Sequence, residues 1–514
     1  MSRTRKALVA SGFTYAQWVL TALAGLLLTR FLIRTLGREV YGTWLATSAL
    51  LGYAGLADLG ILGVMPWLFA EADGANDGAR MRKLVGHGLA AGVAGGAGYL
   101  FVALCAWVLL PAVLHVSPAE LDSLRGPVIA MSLVTAIGYP LRFFGALRSG
   151  LQDFAFMGTV GIVQTLLTVG LVVEVTRLGA GLYGVALGAA LPPLIGGLIA
   201  LARTASRNQE FLQGWPRLRW VSLQPLLKSG MGQWLGSVGW QLAFASDGVI
   251  IAFLGHRELV PVYVVTSRLP LTLLQISWAL PDSTAVGLAQ LNAEGRQDRV
   301  AEVFAVLVRF HLITAGLIAC GVLASNFGFV GTWVGLDLYG GATLNSVLAL
   351  DVIALSVAHG FMVPLAVLGR RLSVGLLTLL NGISHILLAL FFGRAWGLPG
   401  VALGTTLSAL LTTIPGGIRM FAQVTSRTMR ESAWKIAGDW SLRIAPCFLL
   451  AVIPNVLFTR TNVVGRLGSH PALLGSLITG VLTGMIYLAI MRPLLRFLPL
   501  SARIRRVFVA LRLV

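Results

Sequence analysis

The sequence predicts an all-α polytopic membrane protein of about 14 transmembrane helices: two pseudo-symmetric six-helix lobes around a central cavity, plus a C-terminal helix pair. Of the 514 residues, 56% are hydrophobic and 11% are charged. A soluble domain has about 25% charged residues, so a water-facing surface cannot be built from this composition. Apolar runs long enough to cross about 30 Å of hydrocarbon recur along the chain, and a short hairpin at Gly37 forces the first two to run antiparallel.

The apolar runs form groups of six, six and two, separated by the longest polar stretches. The runs are predicted at 8–34, 42–70, 84–112, 126–148, 155–176, 180–202, 224–254, 259–290, 301–330, 341–368, 372–394, 398–422, 442–458 and 472–491. The predicted domains are an N-terminal lobe at 1–203, a linker at 204–222, a C-terminal lobe at 223–422, a linker at 423–441, the last helix pair at 442–495 and a basic tail at 496–514.

The basic residues predict the orientation in the membrane. The formal net charge is +19, and 28 of the 39 lysines and arginines lie on one predicted side of the membrane. Cytoplasmic loops carry an excess of lysine and arginine, so this side is predicted to be cytoplasmic, with both termini there. The same residues attract anionic headgroups of membrane lipids. The charge therefore gives no reason to expect a nucleic-acid partner.

The two sets of six helices are interpreted as copies of one unit. A shift of 218 residues places Ser11-Gly12 on Ser229-Gly230 and Leu36-Gly37 on Leu254-Gly255. Parallel repeats of six helices form two lobes around a midplane cavity in several transporters. The duplication therefore predicts a central cavity.

The eighth predicted helix carries the clearest polar face. Arg268, Gln275 and Asp282 stand seven residues apart and share one side of the helix. Charge facing lipid is costly, so this face is predicted to line a water-filled cavity, with an internal ion pair as the alternative. Pro270 and Pro281 interrupt the backbone hydrogen bonds of the same helix.

Further polar residues lie within the neighbouring runs of the second lobe. Gln233 and Asp247 share a face of the seventh helix, and Asp247 is predicted either to pair with Arg268 or to bind a coupling cation. Arg309 and Asp351 lie in the ninth and tenth helices. Three histidines are interpreted as satisfied core residues rather than proton relays: His311, His359 and His385.

The first lobe has fewer candidates. Arg30 lies near the outer end of the first helix, where it can either line the cavity or extend to the interface. Asp58 lies in the second helix, and Arg142 follows Tyr139-Pro140 in the fourth. These three residues complete the intramembrane set.

Small residues and cysteines are interpreted as packing residues. Gly88, Gly92 and Gly96 have the small-xxx-small spacing of a close helix contact. The cysteines form neither a metal-binding spacing nor a disulfide framework, and all three are predicted to pack in the interior: Cys105, Cys320 and Cys447.

The sequence lacks the motifs of an enzyme. It has no Walker sequence, no His-Glu-x-x-His pair and no nucleophile elbow. Every predicted outer loop is short, leaving no room for an outer catalytic domain. We therefore predict a protein that is not an enzyme and has neither a metal site nor an organic cofactor.

The opening of the chain resembles a known family. Leu28-Thr29-Arg30-Phe31, then Leu36-Gly37-Arg38-Glu39-Val40-Tyr41-Gly42, then Gly55-Leu56-Ala57-Asp58-Leu59-Gly60 resemble polysaccharide transporters of the O-antigen flippase (Wzx) type. These belong to the multidrug, oligosaccharidyl-lipid and polysaccharide (MOP) exporter superfamily. The match covers about the first 75 residues. Members typically have twelve helices and lipid II flippases fourteen, so the last pair resembles the longer layout.

The resemblance implies an alternating-access flippase of the bacterial inner membrane. It would carry an undecaprenyl-pyrophosphate-linked oligosaccharide to the periplasmic leaflet for surface polysaccharide synthesis, in lipopolysaccharide O-antigen for example. The implied partners are this lipid-linked oligosaccharide, membrane lipids, and polysaccharide polymerase and glycosyltransferase machinery. The lipid tail is expected to contact the last helix pair.

The resemblance also suggests roles for the polar residues. The candidates for binding the anionic headgroup are Arg30, Arg142, Arg268, Arg309, Gln233 and Gln275. The candidates for H⁺ or Na⁺ coupling, or for ion pairs, are Asp58, Asp247, Asp282 and Asp351. The alternatives are a multidrug exporter or a lipid II flippase of the same superfamily, and, from another class, a membrane glycan polymerase or ligase.

Overall fold

A computed structural model describes residues 3–213, 220–424, 427–461 and 469–495, and these residues form helices joined by short turns, without any strand. The helices are α1 Arg3–Leu36, α2 Arg38–Gly52, α3 Ile61–Gly74, α4 Gly78–Leu114, α5 Pro118–Gly150, α6 Phe154–Val175, α7 Leu182–Arg207, α8 Trp220–Phe244, α9 Asp247–Phe253, α10 Val260–Ala293, α11 Gln297–Trp333, α12 Gly341–Leu365, α13 Arg371–Trp396, α14 Leu398–Leu411, α15 Thr413–Val424, α16 Arg427–Thr461, α17 Ser469–Ile490 and α18 Arg492–Leu495.

The predicted fold class is confirmed. Over the described ranges, 9 helices are long and apolar enough to cross a membrane, or up to 11 when two bent pairs are each taken as one span. One of those 9 stretches, Gly341–Trp396, contains both α12 and α13, and α17 carries a shorter apolar segment. Each predicted apolar run coincides with one helix or one bent pair, so the fold is compatible with about fourteen spans. The chain is a multi-pass membrane protein.

The chain divides into two compact units, Met1–Gln241 and Leu242–Val514. The boundary lies within α8, and the domain limits drawn from the sequence remain a prediction. Two predicted linkers are partly helical, because α7 ends at Arg207 and α16 already begins at Arg427. Parts of both linkers and the predicted basic tail at 496–514 lie outside the described residues.

Unit 1, Met1–Gln241, contains a broken span. The segments Arg38–Leu56 and Ile61–Gly74 meet at 47°, because Leu59 and Gly60 take left-handed backbone angles between them. The carboxylate of Asp58 accepts hydrogen bonds from the backbone N–H groups of Gly60 and Leu62, at 3.2 and 3.3 Å. Asp58 therefore caps the second half of the span, where free N–H groups need an acceptor.

The break also forms a contact with α8. The indole N–H of Trp234 donates to the carbonyl oxygen of Leu56 at 2.8 Å. A Cβ atom at Gly60 would lie 2.6 Å from the carbonyl oxygen of Gly230, so this backbone approach requires glycine. The Leu-Ala-Asp-Leu-Gly stretch is thus explained locally by the need for a capped break that another helix can contact.

The predicted glycine seam is confirmed. A Cβ at Gly92 would lie 2.7 Å from the Cα of Pro140, and one at Gly96 would lie 2.8 Å from the carbonyl oxygen of Ala136. Helices α4 and α5 therefore pack at backbone distance, as small residues allow in lipid. The interpretation of Cys105 as an interior residue was wrong, because its side chain lies on an exposed face of α4.

In unit 2, Leu242–Val514, the C-terminal pair packs into the body of the unit. Trp440 on α16 and Tyr487 on α17 are buried beside α11, and the indole N–H of Trp440 donates to the hydroxyl of Tyr487 at 3.1 Å. Cys320 and Cys447 lie in the same apolar cluster, as predicted for these two cysteines.

A buried asparagine fixes the register of α16. The Asn455 side chain is fully buried; its Oδ1 accepts from the Tyr339 hydroxyl at 2.8 Å and from Nδ2 of Asn345 at 3.2 Å. Its Nδ2 donates to the Ala342 carbonyl at 3.1 Å and to the Ser346 hydroxyl at 3.3 Å. All four hydrogen-bonding positions of the amide are thus used, which specifies one docking position for α16.

We expect Asn455→Leu to lower the free energy of unfolding by about 1–3 kcal/mol, because it leaves buried polar partners of the amide without their hydrogen bonds. The loss is measured as a lower midpoint of thermal unfolding for the purified protein in detergent. Leu449→Ala, on an exposed face of the same helix, is the control and should shift the midpoint little. An equal shift in both variants would contradict the assigned role of Asn455.

Candidate functional site

An acid and a histidine lie in contact inside unit 2. Asp247 begins α9, and its Oδ2 accepts a hydrogen bond from the hydroxyl of Tyr263 on α10 at 2.7 Å. Its Oδ1 lies 3.0 Å from Nε2 of His385 on α13, although the imidazole N–H is not aligned for a hydrogen bond. His385 is fully buried, and its Nδ1 lies 3.3 Å from the Thr405 hydroxyl of α14. Four helices therefore meet at one polar cluster.

A second buried acid lies beside this cluster. Asp351 on α12 is 4% exposed and accepts a hydrogen bond from the hydroxyl of Thr406. Asp247, Asp351, Tyr263 and Thr405 all border one cavity of about 20 Å³. A cavity of that size holds about one water molecule. We name these six residues the acid–histidine cluster: Asp247, Tyr263, Asp351, His385, Thr405 and Thr406.

The cluster has the chemistry of a small-cation site. It offers two carboxyl groups, one threonine hydroxyl and a tyrosine hydroxyl around a cavity for one small occupant. Oxygen ligands suit hard cations, and a carboxyl group can also take a proton. No group of three or more histidine, cysteine or acidic residues suited to a metal ion occurs in the parts of the chain that the structure describes.

Asp282, a third acidic candidate in unit 2, contacts a different histidine. Its Oδ1 lies 3.1 Å from Nε2 of His359 on α12, and the Asp282 side chain is 50% exposed. The imidazole of His359 stacks on the indole of Trp278, with ring centroids 4.6 Å apart and planes at 21°. The three acidic candidates of unit 2 therefore lie in two places: Asp247 and Asp351 border the small cavity, and Asp282 is half-exposed.

The basic candidates lie in both units. In unit 2, Arg268 on α10 and Arg309 on α11 are each half-buried, whereas Gln275 is exposed. In unit 1, Arg30 is exposed and lines an open groove with Leu27, Phe31, Arg34 and Thr35.

The remaining basic and amide candidates also belong to unit 1. The guanidinium of Arg142 lies 4.8 Å above the ring of Tyr139, and Gln233 is exposed on α8. The headgroup-binding roles of these residues, like the coupling roles of the acids, remain predictions.

A large apolar groove lies on unit 2 between α12, α15 and α16. Its volume is about 370 Å³, and its walls include Ala354, Phe361, Leu410, Phe421 and Trp440. Thr406, which donates to Asp351, also lines it. Successive residues of α14 thus border different cavities, Thr405 the small cavity and Thr406 the apolar groove.

Sequence reasoning missed part of the acid–histidine cluster. Tyr263 carries no signal in the sequence that would separate it from any membrane tyrosine. Thr405-Thr406 is one of two threonine pairs in its predicted run, the other being Thr412-Thr413, so the sequence does not single it out. His385 was interpreted as a satisfied core histidine, and its contact with Asp247 depends on how α9 and α13 are rotated.

Known proteins with a similar structure were found, although no family model and no curated protein matches the sequence. The chain is similar to lipid II flippase MurJ in an inward closed conformation, with 13% identity and a TM-score of 0.62, over 95% of this chain and 100% of that chain. An inward-facing multidrug resistance MATE family transporter of the MOP superfamily has 14% identity and a TM-score of 0.62, over 84% and 99%. The eukaryotic MATE transporter AtDTX14 has 14% identity and a TM-score of 0.57, over 82% and 99%.

These likenesses define the class of fold. The chain is a multi-pass membrane protein with the helical fold of the MATE and MurJ transporters. The similarity is one of fold, and membership of the MOP superfamily remains a prediction. The narrower resemblance to polysaccharide transporters of the O-antigen flippase type, drawn from the first 75 residues, remains a prediction.

Proposed function

We propose that this protein is an alternating-access flippase that carries an undecaprenyl-pyrophosphate-linked oligosaccharide from the cytoplasmic to the periplasmic leaflet of the bacterial inner membrane. Both termini would lie in the cytoplasm, and the glycan would enter surface polysaccharide. The observation that carries the proposal is the apolar groove that α16 completes on unit 2. A polyprenyl chain needs such a surface, because its long hydrocarbon must stay out of water while the headgroup crosses.

The extent of the structural match supports a lipid-linked substrate. The structure of lipid II flippase MurJ matches 95% of this chain, whereas the inward-facing MATE structure matches 84%. The MurJ match therefore takes in a further tenth of the chain, roughly one helix pair long. In this chain such a pair, α16 and α17, forms part of the wall of unit 2, and α16 contributes Trp440 and Ser441 to the groove.

We further propose that the acid–histidine cluster couples transport to H⁺ or Na⁺. Carboxylates of Asp247 and Asp351 border the same small cavity, and like charges in a low-dielectric setting repel each other. A proton or a sodium ion bound there relieves that repulsion. Because the cluster joins α9, α10, α12, α13 and α14, its occupancy can change how these helices pack.

The competing function is export of small amphipathic cations, as the name of the multidrug MATE structures suggests for those proteins. A cationic drug prefers acidic surroundings, whereas the intramembrane arginines Arg30, Arg142, Arg268 and Arg309 favour an anion. A lipid II flippase is the nearer alternative, because it differs only in the glycan carried.

Binding of undecaprenyl pyrophosphate to the purified protein, followed by native mass spectrometry, tests the proposal. We expect a one-to-one complex, and we expect Ala354→Trp, which fills the groove, to weaken binding about tenfold, equivalent to about 1.4 kcal/mol. Leu449→Trp is the matched control, because it places the same indole on an exposed face of α16 outside the groove lining. Binding that is unaffected by Ala354→Trp would remove the groove from the proposal.

Cell-based rescue separates the alternatives. We expect the protein to restore surface glycan in cells that lack their O-antigen flippase. Rescue of cells depleted of MurJ would instead identify a lipid II flippase. Efflux of ethidium without binding of undecaprenyl pyrophosphate would identify a multidrug exporter and overturn the proposal.

A further inference from the structure

A second acid–histidine contact in unit 2 is separate from the acid–histidine cluster. Asp282 on α10 and His359 on α12 lie 3.1 Å apart, with side chains 50% and 18% exposed. One turn earlier on the same two helices, the hydroxyls of Ser277 and Ser356 form a 2.7 Å hydrogen bond. The Ser277–Ser356 contact is neutral at every pH, whereas the Asp282–His359 contact changes with the proton on the imidazole.

The charge of Asp282 defines where a proton can bind. An ionised carboxylate only accepts hydrogen bonds, so Nε2 of His359 carries the hydrogen when Asp282 is ionised. In that tautomer of the neutral ring, Nδ1 has a lone pair that can take a proton. Proton uptake at Nδ1 turns the hydrogen bond between the neutral imidazole and the carboxylate into an ion pair, and the net charge of the Asp282–His359 pair changes from −1 to 0. A lone negative charge in a membrane span is costly unless water reaches it, and Asp282 is half-exposed.

The surroundings of His359 suit a ring that is held in place and can change charge. Trp278 of α10 stacks on the imidazole, and an indole face attracts a cation. Phe244 packs against the same indole in a T-shaped arrangement, with centroids 6.3 Å apart. The stack therefore favours a fixed orientation of His359.

The titratable groups near His359 come from the neighbouring helices and from α12 itself. From α10 the facing group is Asp282, and from α11 it is His311, whose ring centroid lies 6.5 Å away. Asp351, two turns earlier on α12 itself, is hydrogen-bonded to Thr406 of α14. Uncharged side chains pack on α12 from α15 and α16: Phe421 of α15 contacts Phe361, and Trp440 and Ile444 of α16 lie in one apolar cluster with Val357. Asp282 is therefore the acid in direct contact with His359, and the pair is distinct from the cluster around Asp247.

We propose that Asp282 and His359 form a second proton-binding site, in which Nδ1 of His359 takes up a proton from water and the resulting ion pair strengthens the contact between α10 and α12. Unit 2 would then contain two separate ionisable sites, the acid–histidine cluster and the half-exposed Asp282–His359 pair. Pro281, next to Asp282 in α10, has no backbone N–H, so the helix lacks one backbone hydrogen bond beside the pair. At acidic pH, an ion pair between Asp282 and His359 would strengthen the contact between this part of α10 and α12.

Carbon-13 NMR of the full-length protein with labelled histidine rings, in detergent micelles, tests the proposal without any substrate. The chain has 7 histidines, and the resonance absent from His359→Gln identifies His359. We expect the chemical shift of that resonance to change with pH in a single step, as the uptake of one proton requires. In Asp282→Asn the midpoint of the step should move, because an amide cannot pair with the imidazolium.

The controls separate this site from the others. His256→Gln removes a histidine that contacts Glu258 at the surface and should leave the His359 curve unchanged. Asp247→Asn alters the buried cluster and should also leave it unchanged. His359→Asn provides the same assignment if the glutamine variant is not recovered. A His359 resonance that does not titrate, or one whose midpoint is the same with and without Asp282, would overturn the proposal, whatever the transported substrate proves to be.

Discussion

Replacing Asp351 with asparagine is expected to reduce transport by about tenfold or more while the protein stays folded. Asparagine has nearly the same shape, and its amide oxygen can still accept the hydrogen bond from Thr406. It cannot hold a negative charge and cannot release a proton. The small cavity that Asp351 shares with Asp247 would therefore lose its attraction for a cation and its capacity to exchange a proton. The measurement is export of surface glycan at matched levels of membrane-inserted protein.

Two further variants make the result specific. Asp247→Asn, across the same cavity, should give a loss of similar size. Asp298→Asn, at the exposed start of α11, is the control and should leave export unchanged. If both cluster variants export normally, the coupling role of the acid–histidine cluster is wrong, although the proposed substrate would remain open to its own test.

Thr405 and Thr406 connect the acid–histidine cluster with the apolar groove. Thr405 borders the small cavity, and Thr406 borders the apolar groove and donates to Asp351. A hydrocarbon chain in the groove would contact the residue that holds the buried acid. Thr405 and Thr406 are consecutive residues of α14 that face two different cavities. A small shift of α14 would therefore affect both cavities.

The fold was predictable because lipid imposes one strong rule on the backbone. Every polar backbone group within hydrocarbon needs an internal partner, so long apolar runs become helices, and hydropathy alone locates them. The breaks were not predicted. Asp58 is a candidate for coupling or for an ion pair from its sequence position, and the structure adds a capping role, because its carboxylate accepts from the N–H groups of Gly60 and Leu62. A lone acid in an apolar run gives the same sequence signal for both roles.

The candidate site was predictable as a set of residues but not as a set of contacts. The cost of charge in lipid singled out Asp247, Asp282 and Asp351 from the sequence. Which histidine each acid meets depends on the rotation and tilt of neighbouring helices, and hydropathy carries no information about either. Asp247 contacts His385 and Asp282 contacts His359, although the two histidines are 26 positions apart on different helices. The contact of Tyr263 with Asp247 also depends on helix rotation, and nothing in the sequence indicated it.

Removing an arginine from unit 2 is the second change expected to have a large effect. Arg309 lies within the candidate membrane span Asp298–Trp333 and Arg268 within the predicted eighth span, and both are half-buried. A charge in such a position is costly and is therefore expected to serve a function. If they hold the pyrophosphate of the substrate, Arg268→Ala or Arg309→Ala should abolish export of surface glycan while the protein remains folded and inserted. The measurement is surface glycan at equal protein in the membrane, together with binding of undecaprenyl pyrophosphate.

The substitution by lysine decides what the arginine does. A lysine keeps the charge but loses the planar fork that binds two phosphate oxygens at once, so Arg268→Lys should recover part of the binding and not all of it. Full recovery would show that charge alone is needed. Arg177→Ala, which removes an exposed arginine beside Glu174, should export normally. Normal export from both Arg268→Ala and Arg309→Ala would rule out a headgroup clamp in unit 2, because the anion would then be held without either of its intramembrane cations.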